Sequence, residues 1–275
     1  MAEFNQSKAY AAQEDVYYDD GREIELLHFV YGHPKLDEIR GSPKAVLAAI
    51  DEFGHTKKYL MNVGESKGKI VTDLIAEVEL GGYVAYSAIL FGEALRNAGG
   101  QRYFSLEQNP EFGAIIMSLV ELAGLQDIVK VVVGSSAESL RRLHAEKQLT
   151  KIDLLFLDHH KPAYLPDLKL CEELQLIRAG SALAADNVIK PGNPPYLEYV
   201  RSSVDEKVAR VNQAEAASND PKPDTGAKQD AGKDEADGID SGIQGNPRLV
   251  YKSELIRSFE PTGIPDGIEI THCQG

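Results

Sequence analysis

The 275-residue chain has no tryptophan, only two cysteines and no long apolar run. A membrane-crossing helix needs roughly 20 mostly apolar residues, and no stretch approaches that. Cys171 and Cys273 give neither a disulfide framework nor a zinc-binding spacing, and they fit a reducing compartment. Basic residues are also scarce, with Lys+Arg 29 against Asp+Glu 43 and a net charge of −14. No Lys/Arg cluster is present to follow a phosphate backbone, which argues against nucleic acid as a partner. The first residues, Met1 through Asp20, are polar and acidic and lack the apolar core of a secretory signal. These absences lead to the expectation of a soluble, cytoplasmic, monomeric protein without a membrane partner.

The 43% hydrophobic content suffices for one large α/β domain. The most informative stretch is Ile152-Asp153-Leu154-Leu155-Phe156-Leu157-Asp158-His159-His160-Lys161. Its apolar run without alternation reads as a buried parallel strand that stops on an acid, two imidazoles and an amine. Ser181-Ala182-Leu183-Ala184-Ala185 repeats the pattern and runs into Asp186-Asn187. Ligands of open α/β sheets bind beyond the carboxyl ends of the strands. Asp158, Asp186 and Asn187 would there offer three hard oxygen ligands, a set suited to Mg²⁺ rather than zinc.

Around these two strands the spacing predicts further elements. Residues 1–41 form a partly ordered N-terminal arm, and residues 42–275 form the domain. Ser42-Pro43 caps a helix through Phe53, and Met61-Asn62-Val63-Gly64 leads into a second, with Ile70, Val71, Leu74, Ile75 and Val78 at helical spacing. Glu79-Leu80-Gly81-Gly82-Tyr83 reads as a loop of close backbone approach. A helix over 86–95 follows, then a strand from Arg102 ending on Glu107. Asn109-Pro110 starts a helix to Leu122, Ile128 to Val133 is another strand, and a helix spans Glu138 to Leu149. Glu107 sits where an acid bonds the ribose in nucleotide-binding folds. The segment 212–245 carries few apolar residues and reads as a disordered acidic insertion. Two edge strands flanking Phe259-Glu260-Pro261 close the chain.

Together Met61-Asn62-Val63-Gly64, Glu79-Leu80-Gly81-Gly82-Tyr83, Ala123-Gly124-Leu125-Gln126-Asp127, Leu157-Asp158-His159-His160-Lys161, Tyr164-Leu165-Pro166-Asp167 and Ala185-Asp186-Asn187-Val188-Ile189 resemble the catechol O-methyltransferase family. The resemblance implies a Rossmann-like class I methyltransferase fold, with a mostly parallel seven-stranded sheet and helices on both faces. It implies S-adenosylmethionine and Mg²⁺ as cofactors and a small-molecule catechol as substrate. Metal ligands would be Asp158, Asp186 and Asn187, the general base Lys161, and the acid gripping the second hydroxyl Glu260. Donor contacts fall on Met61, Val63, Glu79, Gly81, Tyr83, Ser87, Glu107, Ser136, Asp158 and His159. Substrate contacts fall on Tyr59, His160, Lys161, Asn187, Pro191 and Glu260, with Tyr59 and His160 where the family has tryptophans.

The sequence departs from the family before Glu79, where the helix ending near Val78 leaves a shortened first strand, and at Ala85, which stands where the family has glycine. A rival expectation is therefore a weak or inactive homologue with an impaired donor site. Asp-His-His also occurs in a class of metal-dependent phosphoesterases. That reading ranks lower, because the preceding strands end on Glu107 and Gly134 and not on paired aspartates.

Overall fold

The computed structural model describes residues 4–10, 19–75, 85–219 and 242–275. Helices α1 (Arg22–Tyr31), α2 (Leu36–Ile39), α3 (Pro43–Thr56), α4 (Gly64–Ile75) and α5 (Tyr86–Asn97) precede the first described strand. Then come β1 (Tyr103–Glu107), α6 (Pro110–Leu122), β2 (Val129–Val133), α7 (Ser136–Ala145), β3 (Leu154–Leu157), α8 (Tyr164–Glu173) and β4 (Ala182–Ala185). Helices α9 (Pro194–Arg201) and α10 (Val204–Asn219) and the hairpin β5 (Tyr251–Phe259) and β6 (Pro265–Cys273) complete the order. The caps form as the sequence predicts: the Ser42 side chain accepts from the Ala45 amide, and that of Asn109 from the Glu111 amide.

The described strands form two pieces of sheet. One is the parallel pair β1-β2, and the other runs β3-β4-β6-β5. Strands β3 and β4 are parallel, whereas β6 is antiparallel to both β4 and β5, so the sheet is mixed. This corrects the expected two edge strands at the C-terminus. Only β5 lies at the edge, while β6 pairs on both sides and buries most of its residues.

Alternation along β3 explains the layers, since successive side chains point to opposite faces. Leu154 and Phe156 enter a core shared with α1, α3, α4, α5 and α6. Leu155 and Leu157 enter a second core with α7, α8 and α9. Helices therefore cover both faces. Helix α5 bridges the two pieces: Phe91 meets Phe156 edge-on at 5.1 Å, and Gly92 lets the helix approach β2. A Cβ on Gly92 would fall 2.6 Å from Val129.

Helix α4 holds Leu74 and Ile75 as helix, and the shortened strand expected after them lies outside the described residues. So do Glu79, Gly81 and Tyr83. Helix α10 runs to Asn219, into the segment expected to be a disordered insertion. At that segment's far end Ile243 is buried, and the Gln244 and Gly245 amides bond Glu173.

Candidate active site

Parallel register places the two key strand ends side by side. Leu157 pairs with Ala185, and the Asp186 amide donates to the Leu157 carbonyl at 2.9 Å, so Asp158 and Asp186 leave the sheet together. Asn187 then turns the chain at φ +58°, a left-handed conformation that Asn tolerates better than most residues. A short turn, Lys161–Ala163, follows Asp158 and brings Lys161 back over these ends. Its Nζ donates to Tyr164 OH at 2.6 Å, Asn187 Oδ1 at 2.8 Å and Asp158 Oδ1 at 3.3 Å. The Lys161 carbonyl accepts from Asn193 Nδ2 at 2.7 Å, which fixes the turn.

The C-terminal hairpin supplies the opposite wall. Glu260 begins its tight loop, its amide bonded to the Ile264 carbonyl, and its Oε1 accepts from Asn187 Nδ2 at 2.5 Å. Asp266 lies across the hairpin. Its Oδ2 accepts from Asn187 Nδ2 at 3.0 Å, and its Oδ1 accepts from the Ile189 and Lys190 amides. That pairing tethers the loop carrying Pro191.

Lys67 of α4, fully buried, enters from the helical layer. Its ammonium contacts Asp186 at 2.7 Å, Glu260 at 2.5 Å and Asp266 at 2.7 Å. Burial alone would lower its pKa, but the carboxylates, with Asp186 first, outweigh that and raise it. Burial pushes the Asp186 carboxyl up, and the Asp158 charge pushes it further. Burial likewise raises Glu260, against the pull of Lys67. For Asp266 burial acts upward, but Lys67 prevails and holds it below the ordinary carboxylate range.

Asp158, Asp186, Glu260 and Asp266 thus face two ammonium groups, Lys67 and Lys161. Fully ionised, four negative charges and two positive leave an excess of two negative. A divalent cation would neutralise that excess, and two carboxylates with the Asn187 amide are hard oxygen donors of the kind Mg²⁺ takes. Among the described residues no three Asp, Glu, His or Cys side chains converge as a metal cluster, so the amide oxygen is needed to complete the set.

The candidate donor contacts spread along the same carboxyl edge. Glu107 ends β1, with Oε1 accepting from the Asn109 amide at 2.7 Å and its pKa raised by burial. Ser136 opens α7 after β2, and buried Ser87 lies in the first turn of α5. Met61 and Val63 sit just before α4, half-buried and buried. His159 Nε2 pairs with Asp167 Oδ2 at 2.9 Å, and its ring lies 5.0 Å from that of Tyr164. On the substrate side, His160 and Pro191 are exposed near Lys161 and Asp266. Tyr59 is placed differently. It packs in the helical core, and its carbonyl accepts from Arg22 at 2.6 Å.

Sequence reasoning missed Lys67, Asp266, Tyr164 and Asn193 as parts of this site. For Lys67 a signal existed: Lys67, Val71 and Ile75 are spaced by four, so a lysine stands on the apolar stripe of its helix. Asp266 appears in sequence only as a turn residue before Gly267.

Comparison with known proteins matches residues 45–222 to the family described as O-methyltransferase. A catechol O-methyltransferase of Bos taurus is 42% identical over 188 residues, covering 66% of this chain and 67% of that protein. That of Mus musculus is 40% identical over 188 residues, covering 66% of this chain and 69% of its own. Among solved structures, an O-methyltransferase from Bacillus cereus in complex with SAH is 21% identical with a TM-score of 0.50, covering 90% of this chain and 97% of that one. It shares the fold, a class I Rossmann-like methyltransferase with a mixed sheet flanked by helices. On the family match and the two mammalian relatives, the chain belongs to the O-methyltransferase family and, within it, to the catechol O-methyltransferases.

Proposed function

We propose that this protein transfers the methyl group of S-adenosylmethionine to one hydroxyl of a Mg²⁺-chelated catechol. The observation that carries the reading is the convergence of Asp158, Lys161, Asn187 and Glu260 from separate elements in a chain of this family. Asp158, Asp186 and Asn187 would hold Mg²⁺. When bound, the metal would orient both catechol oxygens and favour loss of a hydroxyl proton.

The chain's own residues do the rest. Asn187 fixes Lys161 through Oδ1 and Glu260 through Nδ2, so one amide sets the spacing between proton acceptor and substrate grip. The catechol oxygen bonds to the methyl carbon as the carbon–sulfur bond breaks, S-adenosylhomocysteine leaves, and the hydroxyl proton passes to Lys161, which takes it as the neutral amine after releasing its own proton. Glu260, its pKa raised by burial, is suited to hydrogen-bond the second hydroxyl. Alignment of the reactants is the largest contribution, worth about 7–11 kcal/mol in well-oriented systems. Met61, Val63, Ser87, Glu107, Ser136, Asp158 and His159 would bind the donor together with Glu79, Gly81 and Tyr83. His160 and Pro191 would border the ring, whereas Tyr59, packed in the helical core, would not. The same reading implies a mostly parallel seven-stranded sheet, of which six strands lie among the described residues.

The test is methyl transfer from S-adenosylmethionine to a catechol with and without Mg²⁺, with donor affinity measured by calorimetry. Mg²⁺-dependent transfer and micromolar donor binding are expected. Metal and catechol binding without donor binding would instead favour a binding module on an enzyme fold. Mn²⁺-dependent phosphodiester cleavage without the donor would favour the phosphoesterase.

A further inference from the structure

The N-terminal residues 4–10 lie against the loop that carries Glu260. Asn5 caps the short turn Gln6–Lys8, Lys8 pairs with Glu65 at the start of α4 at 2.7 Å, and Phe4 packs on Phe259 with ring centroids 5.6 Å apart. Tyr10 is the anchor of this segment, only 7% exposed. Its amide donates to the carbonyl of Pro261, the residue after Glu260, at 2.9 Å. Its ring meets His55 edge-on, seated over Gly54, where a Cβ would fall 2.6 Å from the ring.

Phenylalanine would fill that seat equally well, so packing alone does not require the hydroxyl. The hydroxyl donates to Asp51 and accepts from Asn62 Nδ2 at 3.2 Å. Asp51 also accepts from Tyr86. Asn62 stands between Met61 and Val63, and Tyr86 between Ala85 and Ser87. The Tyr10 hydroxyl therefore ties together two of the described segments that are assigned to the methyl donor. Asn62 Oδ1 is buried with no hydrogen-bond partner among the described residues, although its other amide atom is held. An acceptor left open in this way is costly unless a ligand donates to it.

We infer that Tyr10 is a positioning residue for donor binding, its hydroxyl holding Asn62 and, through Asp51, Tyr86 so that Asn62 Oδ1 stays open to a donor group of the bound ligand. The inference rests on the methyltransferase reading above. It assigns the arm a task distinct from catalysis, since Tyr10 touches none of Asp158, Lys161 or Asn187.

The test uses the full chain carrying Tyr10→Phe, with S-adenosylmethionine affinity measured by calorimetry and initial rates measured with a catechol. Donor Kd should rise about five- to tenfold, as for loss of one or two buried hydrogen bonds, while kcat stays within about twofold. In an Asn62→Ala background the same substitution should weaken donor binding by a smaller factor, because only the tie through Asp51 to Tyr86 is left to cut. An unchanged Kd with a lowered melting temperature would make Tyr10 a brace only and overturn the inference. Should Tyr10→Phe not fold, Asn62→Ala alone should weaken the donor about five- to tenfold, and unchanged binding would overturn it. Amide exchange at Asn62 and Tyr86, measured without ligand, should be faster in Tyr10→Phe. If the wild-type chain binds no donor, the functional reading fails, and this exchange then decides the tie by itself.

Discussion

At the scale of single residues, Lys67 and Lys161 show how one side-chain type takes two tasks. Lys67 is a fully buried ammonium that balances three carboxylates, whereas Lys161 stands at the strand ends, partly accessible. Lys67→Met would leave those carboxylates without their cation and should cost about 3–5 kcal/mol of stability. The sign of its pH dependence follows from linkage. Without Lys67 the buried Asp186 and Glu260 shift further upward, and stability conferred by groups with raised carboxyl pKa values is lost as pH rises through them. The deficit against wild type should therefore grow from acid to neutral pH, as read by denaturant titration. Lys161→Ala should bind donor and catechol normally yet lose about 10²–10⁴-fold in turnover, as loss of a positioned base does. Retention of most of the single-turnover rate would remove Lys161 from the role of base.

At the scale of elements, the packing behind the site depends on a second polar cluster. Glu172 of α8, 2% exposed, accepts from Tyr199 OH of α9 and Tyr251 OH of β5, both at 2.6 Å, and from the Asn246 amide at 2.7 Å. Lys207 of α10 lies over both tyrosine rings and donates to the Leu249 carbonyl. This cluster holds the C-terminal hairpin, and with it Glu260 and Asp266, against the helices. Burial raises the Glu172 pKa, so the stability it contributes is full below the ordinary carboxylate range and is lost as pH rises through the folded value. Glu172→Gln cannot titrate and leaves one hydroxyl mispaired, at a cost of about 1–3 kcal/mol. The gap between variant and wild type should be widest in acid and narrow toward neutrality in chemical denaturation across pH. A gap that widened instead would show that Glu172 is stabilised as the anion. Helix caps, strand ends and the apolar runs of β3 and β4 were all legible in sequence, because each depends on neighbours a few residues away. The position of β6 inside the sheet was not, since a hairpin's partner strand is chosen by long-range pairing.

For the whole molecule the acidic balance matters most. A net charge of −14 favours cation binding everywhere, and the cluster of Asp158, Asp186 and Asn187 combines adjacent carboxylates with an amide at the sheet edge. Mg²⁺ at about 100 times its Kd should raise stability by about 2.7 kcal/mol through linkage, measured as an upward shift in Tm that chelator reverses. An equal shift with Na⁺ at matched ionic strength would reduce the effect to general screening. Asp186→Ala should abolish the Mg²⁺-specific part of the shift.

The sequence by itself determined the α/β class, the two apolar strands and the acids and amine at their ends. Buried strands and capped helices write their signals locally, and Asp158, Lys161, Asp186 and Asn187 follow directly from the strands that carry them. Only the tertiary structure decided which charges meet. Lys67 is 193 residues from Glu260 and 199 from Asp266 along the chain, yet its ammonium joins both carboxylates, and Tyr10 reaches 52 residues to Asn62. Desolvation supplies the reason. A charge or hydroxyl removed from water must find a partner, and the fold determines which distant group is near enough to be that partner.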